Sequence, residues 1–314
     1  MLKNKYCTYI VMFQLFNDNV NAIEKIDCND HTIIFSALNE FYRPLQSKGF
    51  AIKYVEAGNE KYTIDGEQFN LNSGQYLLSN LFTEGKVEIE SKKNVTGICI
   101  NIMPEILSEV VGSMLKPDTA EADIGLDTFF TTTNFLNREY TATKTILGGE
   151  LNKLSISANK NNLSPADFGS EFFYTLAEKI VIDCIPLCKQ LNAIGTQKSI
   201  TKKYLLKKIN TGKEYIDHHF LSPISVEHIA QQSTISEYHF YRLFKLVYGM
   251  SPYQMILAKR LEFAKNYLLF SNLPVSVVAI EAGFSDINSF SKSFKKYYGF
   301  TPSLAQINSR ILPT

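Results

Sequence analysis

The sequence predicts an α+β chain, in which a β-barrel or sandwich is followed by helices and then by a separate all-α module. Up to about residue 103, short runs rich in Tyr, Ile, Val and Phe alternate with turn residues, which is typical of many short strands. From residue 104 the apolar spacing becomes helical. Residues 225–252 then align with 275–302 as an internal repeat. The length of 314 residues is compatible with two such modules.

The β-region is marked by its turns. Asp65-Gly66 separates two strand-like runs and predicts a tight hairpin, because a two-residue turn of this kind needs positive φ. Residues 72–74, Asn-Ser-Gly, predict another turn. Residues 87–90 alternate apolar and charged side chains, as a half-buried strand does, and residues 97–102 predict the last strand. We therefore expect a first domain built from strands.

Helical segments are expected after the strands. Pro104 suits the first position of a helix, where its missing N–H costs nothing. A longer helix is predicted over residues 165–189, with Ser164 as its N-cap and a kink or an end at Pro186. The polar stretch 191–199 is predicted to be a linker.

The N-terminal segment has one feature of a signal peptide, since Lys3 and Lys5 precede an apolar run over residues 6–16. No small-residue cleavage site follows the run, and its Tyr, Thr, Val and Phe content favours a strand. No apolar stretch reaches the roughly 18 residues of a membrane span. The five cysteines lack metal-site spacing, and Cys184 and Cys188 fall in an apolar helical run. These features predict a cytoplasmic protein without a membrane anchor.

Charge divides the chain into two unlike parts. Residues 198–314 contain 15 Lys and Arg against 7 Asp and Glu, a net charge of +8, whereas the other 197 residues contain 17 against 24, a net charge of −7. A basic block of this kind predicts a polyanionic partner. The alternative is a helical bundle whose basic faces are simply solvated.

Each copy of the repeat predicts a helix, a tight turn and a second helix. In the first copy, Ser225 is the predicted cap of the short helix and Ser236 the predicted cap of the second. Asp286 takes the capping role in the second copy. Gly249 and Gly299 fit the left-handed position that ends each second helix. One long helix is predicted between the copies and another before the first.

The second helix of each copy has an apolar face and a polar face. A polar face of this kind suits a DNA major groove, where side chains near the helix start read bases and later basic residues bind phosphates. Arg, Asn and Lys suit base edges, and Tyr and Ile suit thymine methyl groups. The predicted DNA-contacting residues are Ser236, Glu237, Tyr238, Tyr241, Arg242 and Lys245 in the first copy, and Asp286, Ile287, Asn288, Ser291, Lys292, Lys295 and Lys296 in the second.

The repeat resembles the AraC/XylS family of bacterial transcription regulators, whose DNA-binding module has two helix-turn-helix units joined by a long helix. The matching residues are Ser236, Arg242, Phe244-Lys245 and Gly249-x-Ser251-Pro252, then Arg260-Leu261, Ala264 and Leu268-Leu269, then Ala279-x-x-x-Gly283-Phe284-x-Asp286-x-x-x-Phe290-Ser291-Lys292-x-Phe294-Lys295-Lys296-x-x-Gly299-x-Thr301-Pro302-Ser303. The resemblance covers about residues 200–306. Gln306 departs from it, because the family often has Arg there.

The resemblance implies a sequence-specific DNA-binding regulator that is not an enzyme. It implies a sensor and dimerisation domain over residues 1–190, with a cupin-like barrel over about 6–103 and helices over about 104–190, a linker over 191–199 and a DNA-binding domain over 200–314. The cupin-like match consists of Tyr54-Val55-Glu56-Ala57-Gly58, Tyr62-x-Ile64-Asp65-Gly66 and Leu71-x-x-Gly74. The implied partners are double-stranded promoter or operator DNA, a small organic effector, RNA polymerase if the protein activates, and a second copy of the chain in a homodimer.

A metal-dependent cupin enzyme is the main competing class, and it needs two or three His with a carboxylate around one ion. No His lies between residues 32 and 217, so we expect no metal, no cofactor and no catalytic residue. A metal-free cupin-like enzyme and a scaffold fused to a helical domain stay open. Cys99 and Tyr54 are candidates for the barrel interior, where core packing is the simpler role. The barrel aromatics either line a ligand pocket or fill the interior completely.

Overall fold

The computed structural model describes residues 12–17, 31–46, 49–114, 125–132, 135–160, 163–164, 167–195, 198–271 and 273–311. Three features lie outside these ranges: the part of the predicted first strand before residue 12, and the residues Cys7 and Cys28. The chain divides into two compact units, Met1–Lys189 and Gln190–Thr314. Each unit is described by itself below.

The first unit is built on one eight-stranded sheet that curls into a nearly closed barrel. Its strands are β1 (Met12–Asn17), β2 (Thr32–Gln46), β3 (Phe50–Ala57), β4 (Asn59–Ile64), β5 (Glu67–Asn72), β6 (Gln75–Ser79), β7 (Glu84–Ile102) and β8 (Glu139–Thr141). They lie in the order β1-β2-β7-β3-β6-β8, with β4 paired to both β5 and β7. The described pairings are antiparallel except that of β1 with β2.

The backbone confirms the predicted turns but merges two predicted strands. Asp65 and Gly66 have φ of 49° and 80° between β4 and β5, and Gly74 has φ of 77° before β6. The prediction of separate strands at 87–90 and 97–102 is wrong, because both segments belong to the 19-residue strand β7. The polar residues between them form an irregularity in the pairing with β2 instead of a turn. The pairing of β7 with β2 resumes beyond this irregularity, so both segments belong to one strand.

The helices of the first unit are α1 (Pro104–Met114), α2 (Leu126–Thr131), α3 (Ile146–Asn159) and α4 (Ser170–Ala193). Pro104 begins α1, as predicted. Helix α4 begins at Ser170, later than predicted, because Ser164 forms a separate turn by donating its N–H to the Asp167 carboxylate at 2.7 Å. The helix does not end at Pro186, and the kink, which is the other effect predicted for this residue, stays a prediction. The helix continues to Ala193, since the buried side chains of Leu187 and Leu191 anchor its last turns.

The described part of the second unit is helical. Its helices are α5 (Ser199–His219), α6 (Val226–Gln232), α7 (Glu237–Tyr248), α8 (Pro252–Phe270), α9 (Val275–Glu281), α10 (Ile287–Tyr298) and α11 (Pro302–Ile311). Helices α6 and α7 form the first helix-turn-helix unit, α9 and α10 form the second, and α8 is the predicted linking helix. Leu261 and Leu268 of α8 pack with Phe290 and Phe294 of α10 in one buried core. Among the described helices, none is both long and apolar enough to cross a membrane.

Candidate nucleic-acid interface and barrel cavity

The two helix-turn-helix units share one turn geometry. In the first, the N–H of Ile235 donates to the carbonyl oxygen of Ala230 at 3.2 Å. In the second, the N–H of Phe284 donates to the carbonyl oxygen of Ala279 at 3.0 Å. Both bonds span five residues and close the turn between the short helix and the helix that follows it. The internal repeat of the sequence is therefore a repeat of structure.

A left-handed residue stands just before each turn-closing donor, but its type differs. Gly283 has φ of 80°, and a Cβ added there would lie 2.6 Å from the carbonyl oxygen of Leu221. The corresponding residue in the first unit is Thr234, with φ of 53°. This conformation costs a residue other than glycine about 1–2 kcal/mol. The Thr234 hydroxyl accepts a hydrogen bond from Lys208 Nζ. The sequence predicts a turn over residues 233–235, but it does not predict the positive φ of Thr234, because Gly or Asn is expected where φ is positive.

The second helices are fixed at their ends. At α10, the Asp286 carboxylate accepts the N–H of Ser289 at 2.8 Å, and this bond lowers the pKa of the Asp286 carboxyl below its ordinary value. At α7, Ser236 occupies the predicted N-cap position, but its side chain makes no capping bond. Gly249 and Gly299 end the two helices with φ of 72° and 83°, which confirms their predicted left-handed role.

The predicted DNA-contacting side chains lie on the surface, and the aromatic side chains between them are buried. Phe240 and Phe244 of α7 and Phe290 and Phe294 of α10 are fully buried. The exposed residues are Ser236, Glu237, Tyr238, Tyr241, Arg242 and Lys245 on the first unit, and Asp286, Ile287, Asn288, Lys292, Lys295 and Lys296 on the second, while Ser291 is half-buried. We call these two sets the first and second reading faces. Tyr238 is 78% exposed, so its ring is accessible to a partner.

The cations of the reading faces differ from two other lysines of the second unit, Lys213 and Lys259. In the described part of the chain, the five on these faces form no ion pair; they are Arg242, Lys245, Lys292, Lys295 and Lys296. By contrast, Lys213 and Lys259 both pair with Asp217, the latter at 2.8 Å. The reading faces therefore keep positive charge available for an anionic partner.

Helix α8 joins the two units in the chain. Its 19 residues correspond to a length of about 29 Å at 1.5 Å per residue. One turn of B-DNA is about 34 Å. Ser251 begins α8 with a capping box, in which its hydroxyl accepts the N–H of Gln254 and the Gln254 side chain accepts the N–H of Ser251. A helix that is fixed at its start and buried along one side makes a rigid spacer.

The barrel of the first unit contains a cavity of about 170 Å³ that is partly open to solvent. Strands β2, β3, β4 and β7 supply its wall, which consists of Ile34, Ser36, Leu38, Phe41, Leu45, Lys53, Tyr54, Glu60, Tyr62, Val87, Ile89, Ile98 and Cys99. Cys99 and Tyr54 both line it. Because the barrel contains this cavity, the alternative of a completely filled barrel does not hold. The Tyr54 hydroxyl also donates to Asn152 Oδ1 of α3 at 2.8 Å, which joins the cavity wall to the helices.

One end of the cavity is polar. Lys53 Nζ donates to Cys99 Sγ at 2.7 Å, and the Tyr62 hydroxyl donates to Glu60 Oε2. Burial raises the pKa of Glu60, while the Tyr62 hydrogen bond and the nearby Lys53 charge act in the opposite direction. Sequence reasoning missed Lys53 and Glu60 as cavity residues, because charged residues in a strand are expected to face solvent. Lys53 stands between Ile52 and Tyr54, which was the available signal, whereas Glu60 stands between Asn59 and Lys61 and offers no such signal.

The described residues contain no group of three or more His, Cys, Asp or Glu side chains that could hold a metal ion. His31, which precedes β2, stacks on Phe173 of α4 with ring centroids 4.2 Å apart. Packing therefore accounts for its burial. The expectation of a metal-free barrel stays a prediction.

Comparison with known proteins places the second unit in a family. A model described as "Helix-turn-helix domain" matches residues 229–306. The chain is 38% identical over 92 residues to the probable transcriptional regulator LumQ of Photobacterium leiognathi, a match over 29% of this chain and 37% of LumQ. It is 32% identical over 94 residues to the HTH-type transcriptional activator AarP of Providencia stuartii, over 30% of this chain and 70% of AarP. The matched part spans between 32 and 39% of the length of the first three curated relatives.

Solved structures of ToxT align with most of the chain. The structure of ToxT from Vibrio cholerae with a bound unsaturated fatty acid is 12% identical, covers 88% of this chain and 94% of ToxT, and has a TM-score of 0.34.

The family model and the similarity to AarP define the second unit as a helix-turn-helix domain. The chain belongs to the AraC-type family of transcriptional regulators.

Proposed function

We propose that the chain is a transcription regulator that binds double-stranded DNA sequence-specifically through its two reading faces. The observation that carries the proposal is the duplicated surface. Two helices with the same turn, the same C-terminal glycine and the same buried aromatic pair each expose unpaired cations. A helical bundle with solvated charges would not need that surface twice.

The proposed contacts divide by position along each helix. Arg242, Asn288 and Lys292 are nearer the helix starts and would bond base edges, while Tyr238 and Ile287 would contact thymine methyl groups. The remaining cations would bind phosphates, where they add affinity without sequence information; they are Lys245, Lys295 and Lys296. Glu237 would accept from a cytosine amino group. Ser236, Tyr241 and Ser291 complete the proposed faces.

Asp286 has a positioning role in this proposal. Its two carboxylate oxygens accept hydrogen bonds from the N–H and the hydroxyl of Ser289, at 2.8 and 2.7 Å. Because both oxygens are engaged within the first turn of α10, the residue orients that helix start toward DNA.

The barrel is the proposed effector domain. We infer that residues 1–190 form a sensor and dimerisation domain, that 191–199 connect it to the DNA-binding domain at 200–314, and that the cavity takes a small organic effector. An effector can change DNA binding only by binding the two states of the protein with different affinity. In this proposal the protein acts by binding and not by catalysis, in the bacterial cytoplasm, and RNA polymerase is its partner if it activates.

Selection from a pool of random DNA duplexes tests the DNA-binding proposal directly. The full chain should enrich one sequence, and its affinity for that duplex should fall steeply between roughly 50 and 200 mM salt, as expected for several phosphate contacts. Enrichment of no sequence, together with salt-independent binding, would contradict the proposal. Equal binding of all duplexes with a steep salt dependence would leave only non-specific DNA binding.

A further inference from the structure

The cavity wall carries balanced charge. Among the described residues that line it, Lys53 is the one cation and Glu60 the one carboxylate group. Glu60 is only 6% exposed, and Lys53 is half-buried. The net charge of the wall is therefore close to zero when both groups are ionised. A charged ligand would add an uncompensated ion to this interior, and such a charge is costly to bury.

The polar end offers both a donor and an acceptor. The Lys53 ammonium has three donors, and one of them is used by Cys99. One oxygen of Glu60, Oε2, accepts from Tyr62. The other, Oε1, points toward Gly97, where an added Cβ would lie 3.1 Å from it. Lys53 can thus donate to a ligand while Glu60 accepts from the same ligand.

Size and polarity restrict the rest of the ligand. Apart from these polar side chains, much of the wall is apolar and includes Leu38, Phe41, Leu45, Val87 and Ile89. A cavity of about 150 Å³ lined by apolar side chains holds a benzene molecule. The cavity of about 170 Å³ is therefore matched to a compact molecule with one polar end and one apolar end.

We propose that this cavity binds an uncharged amphiphile of about six to nine non-hydrogen atoms, with a hydroxyl or primary amide head between Lys53 and Glu60. Such a head group accepts a hydrogen bond from the ammonium and donates one to the carboxylate. A carboxylate head cannot donate to Glu60, and an ammonium head cannot accept from Lys53. The inference rests on the proposed role of the barrel as the effector domain.

A matched six-carbon series tests the head-group preference. Hexan-1-ol, hexanamide, hexanoate and hexylamine share one chain and differ in the head, and their binding to the full chain is measured by calorimetry at neutral pH. Hexan-1-ol and hexanamide should bind at least tenfold more tightly than hexanoate and hexylamine. Tighter binding of either charged compound, or no binding of any compound, would overturn the proposal.

Two substitutions locate the preference at the proposed residues. Glu60→Gln keeps an acceptor for Tyr62 but removes the negative charge, so it should shift the preference toward hexanoate by at least tenfold. Lys53→Met in the Glu60→Gln background should abolish that gain. Lys86→Met is the control, because Lys86 lies on the same sheet, is paired with Glu88 at the surface and is not on the cavity wall. An unchanged preference in Glu60→Gln would overturn the assignment.

Binding of the selected DNA duplex without added ligand separates this inference from the proposed function. If the duplex is bound while no uncharged compound binds, the cavity assignment is wrong and the DNA-binding function stands. If the compounds bind as expected while no duplex is selected, the DNA-binding proposal fails and the cavity assignment stands.

Discussion

The guanidinium group of Arg260 donates from Nε to the backbone carbonyl oxygen of Phe220 at 2.6 Å. A second nitrogen of the group donates to the carbonyl oxygen of Ser222 at 2.8 Å. Arg260 lies on the linking helix α8, whereas both acceptors lie in the segment between α5 and α6. The same guanidinium lies close to Gly283, in the turn of the second helix-turn-helix unit. This side chain of the linking helix therefore contacts the segment that leads into the first unit and lies close to the turn of the second.

Arg260→Ala should weaken both the fold of the second unit and its binding to a two-segment DNA site. The loss of hydrogen bonds from a charged group should lower the free energy of unfolding by about 2 kcal/mol. Arg260→Lys should rescue this only partly, because an ammonium cannot reproduce the rigid fork of donors. Denaturant unfolding and DNA titration of both variants measure the effect. Wild-type values for Arg260→Ala in both assays would show that the contact does not position the units.

The turn glycine of the second unit should be less tolerant than the glycine that ends α7. Both residues have positive φ, but an added Cβ at Gly283 meets the Leu221 carbonyl oxygen, whereas nothing lies within 4 Å of one at Gly249. Gly249→Ala should cost about 1–2 kcal/mol through the backbone alone. Gly283→Ala should cost clearly more, since the backbone must also shift. Equal thermal stability of the two variants would contradict this.

The stability of the second unit should fall at acid pH in part through Asp217. Burial acts to raise the pKa of its carboxyl, but hydrogen bonds from Lys213 and Lys259 lower it overall. Because the folded-state pKa is depressed, the stabilisation is present above the ordinary Asp pKa of about 3.9. It is lost as the pH falls from there through the folded-state pKa, since the unfolded chain binds the proton first.

Asp217→Asn is the matched test of this acid dependence. The variant should be less stable than the wild type at neutral pH and should lose less additional stability between about pH 5 and pH 3. Urea unfolding across this range measures the difference. If the two curves stay parallel down to pH 3, Asp217 does not supply the dependence.

Arg242→Ala and Lys292→Ala should each weaken binding to the selected duplex. A lost base contact should cost about 1–3 kcal/mol and relax the preference at one position of the site. A lost phosphate contact should weaken binding to all sequences and reduce the salt dependence by about one unit of slope. Lys198→Ala is the control, because Lys198 is exposed but lies outside both helix-turn-helix units. Wild-type affinity for both reading-face variants would refute the assigned faces.

The sequence predicts the second unit well because local rules agree there. The same helices are predicted by the apolar spacing, by the Asp286 cap and by the glycines at 249 and 299. The internal repeat gives the same prediction in both of its copies. Thr234 escapes these rules, because it takes a left-handed backbone conformation that is uncommon for its residue type. In the first unit, the polar residues in the middle of β7 favour a turn, but pairing with neighbouring strands before and after them makes the whole segment one strand. The polar end of the cavity depends on closure of the barrel, which no local pattern encodes.

Footprinting of the full chain on the selected duplex tests the central claim most directly. Two reading faces joined by one rigid helix should protect two major-groove segments about one helical turn, or roughly 10 base pairs, apart on the same side of the DNA. Arg242→Ala should weaken protection of one segment and Lys292→Ala that of the other. A single protected segment, or two segments on opposite sides of the DNA, would contradict the account.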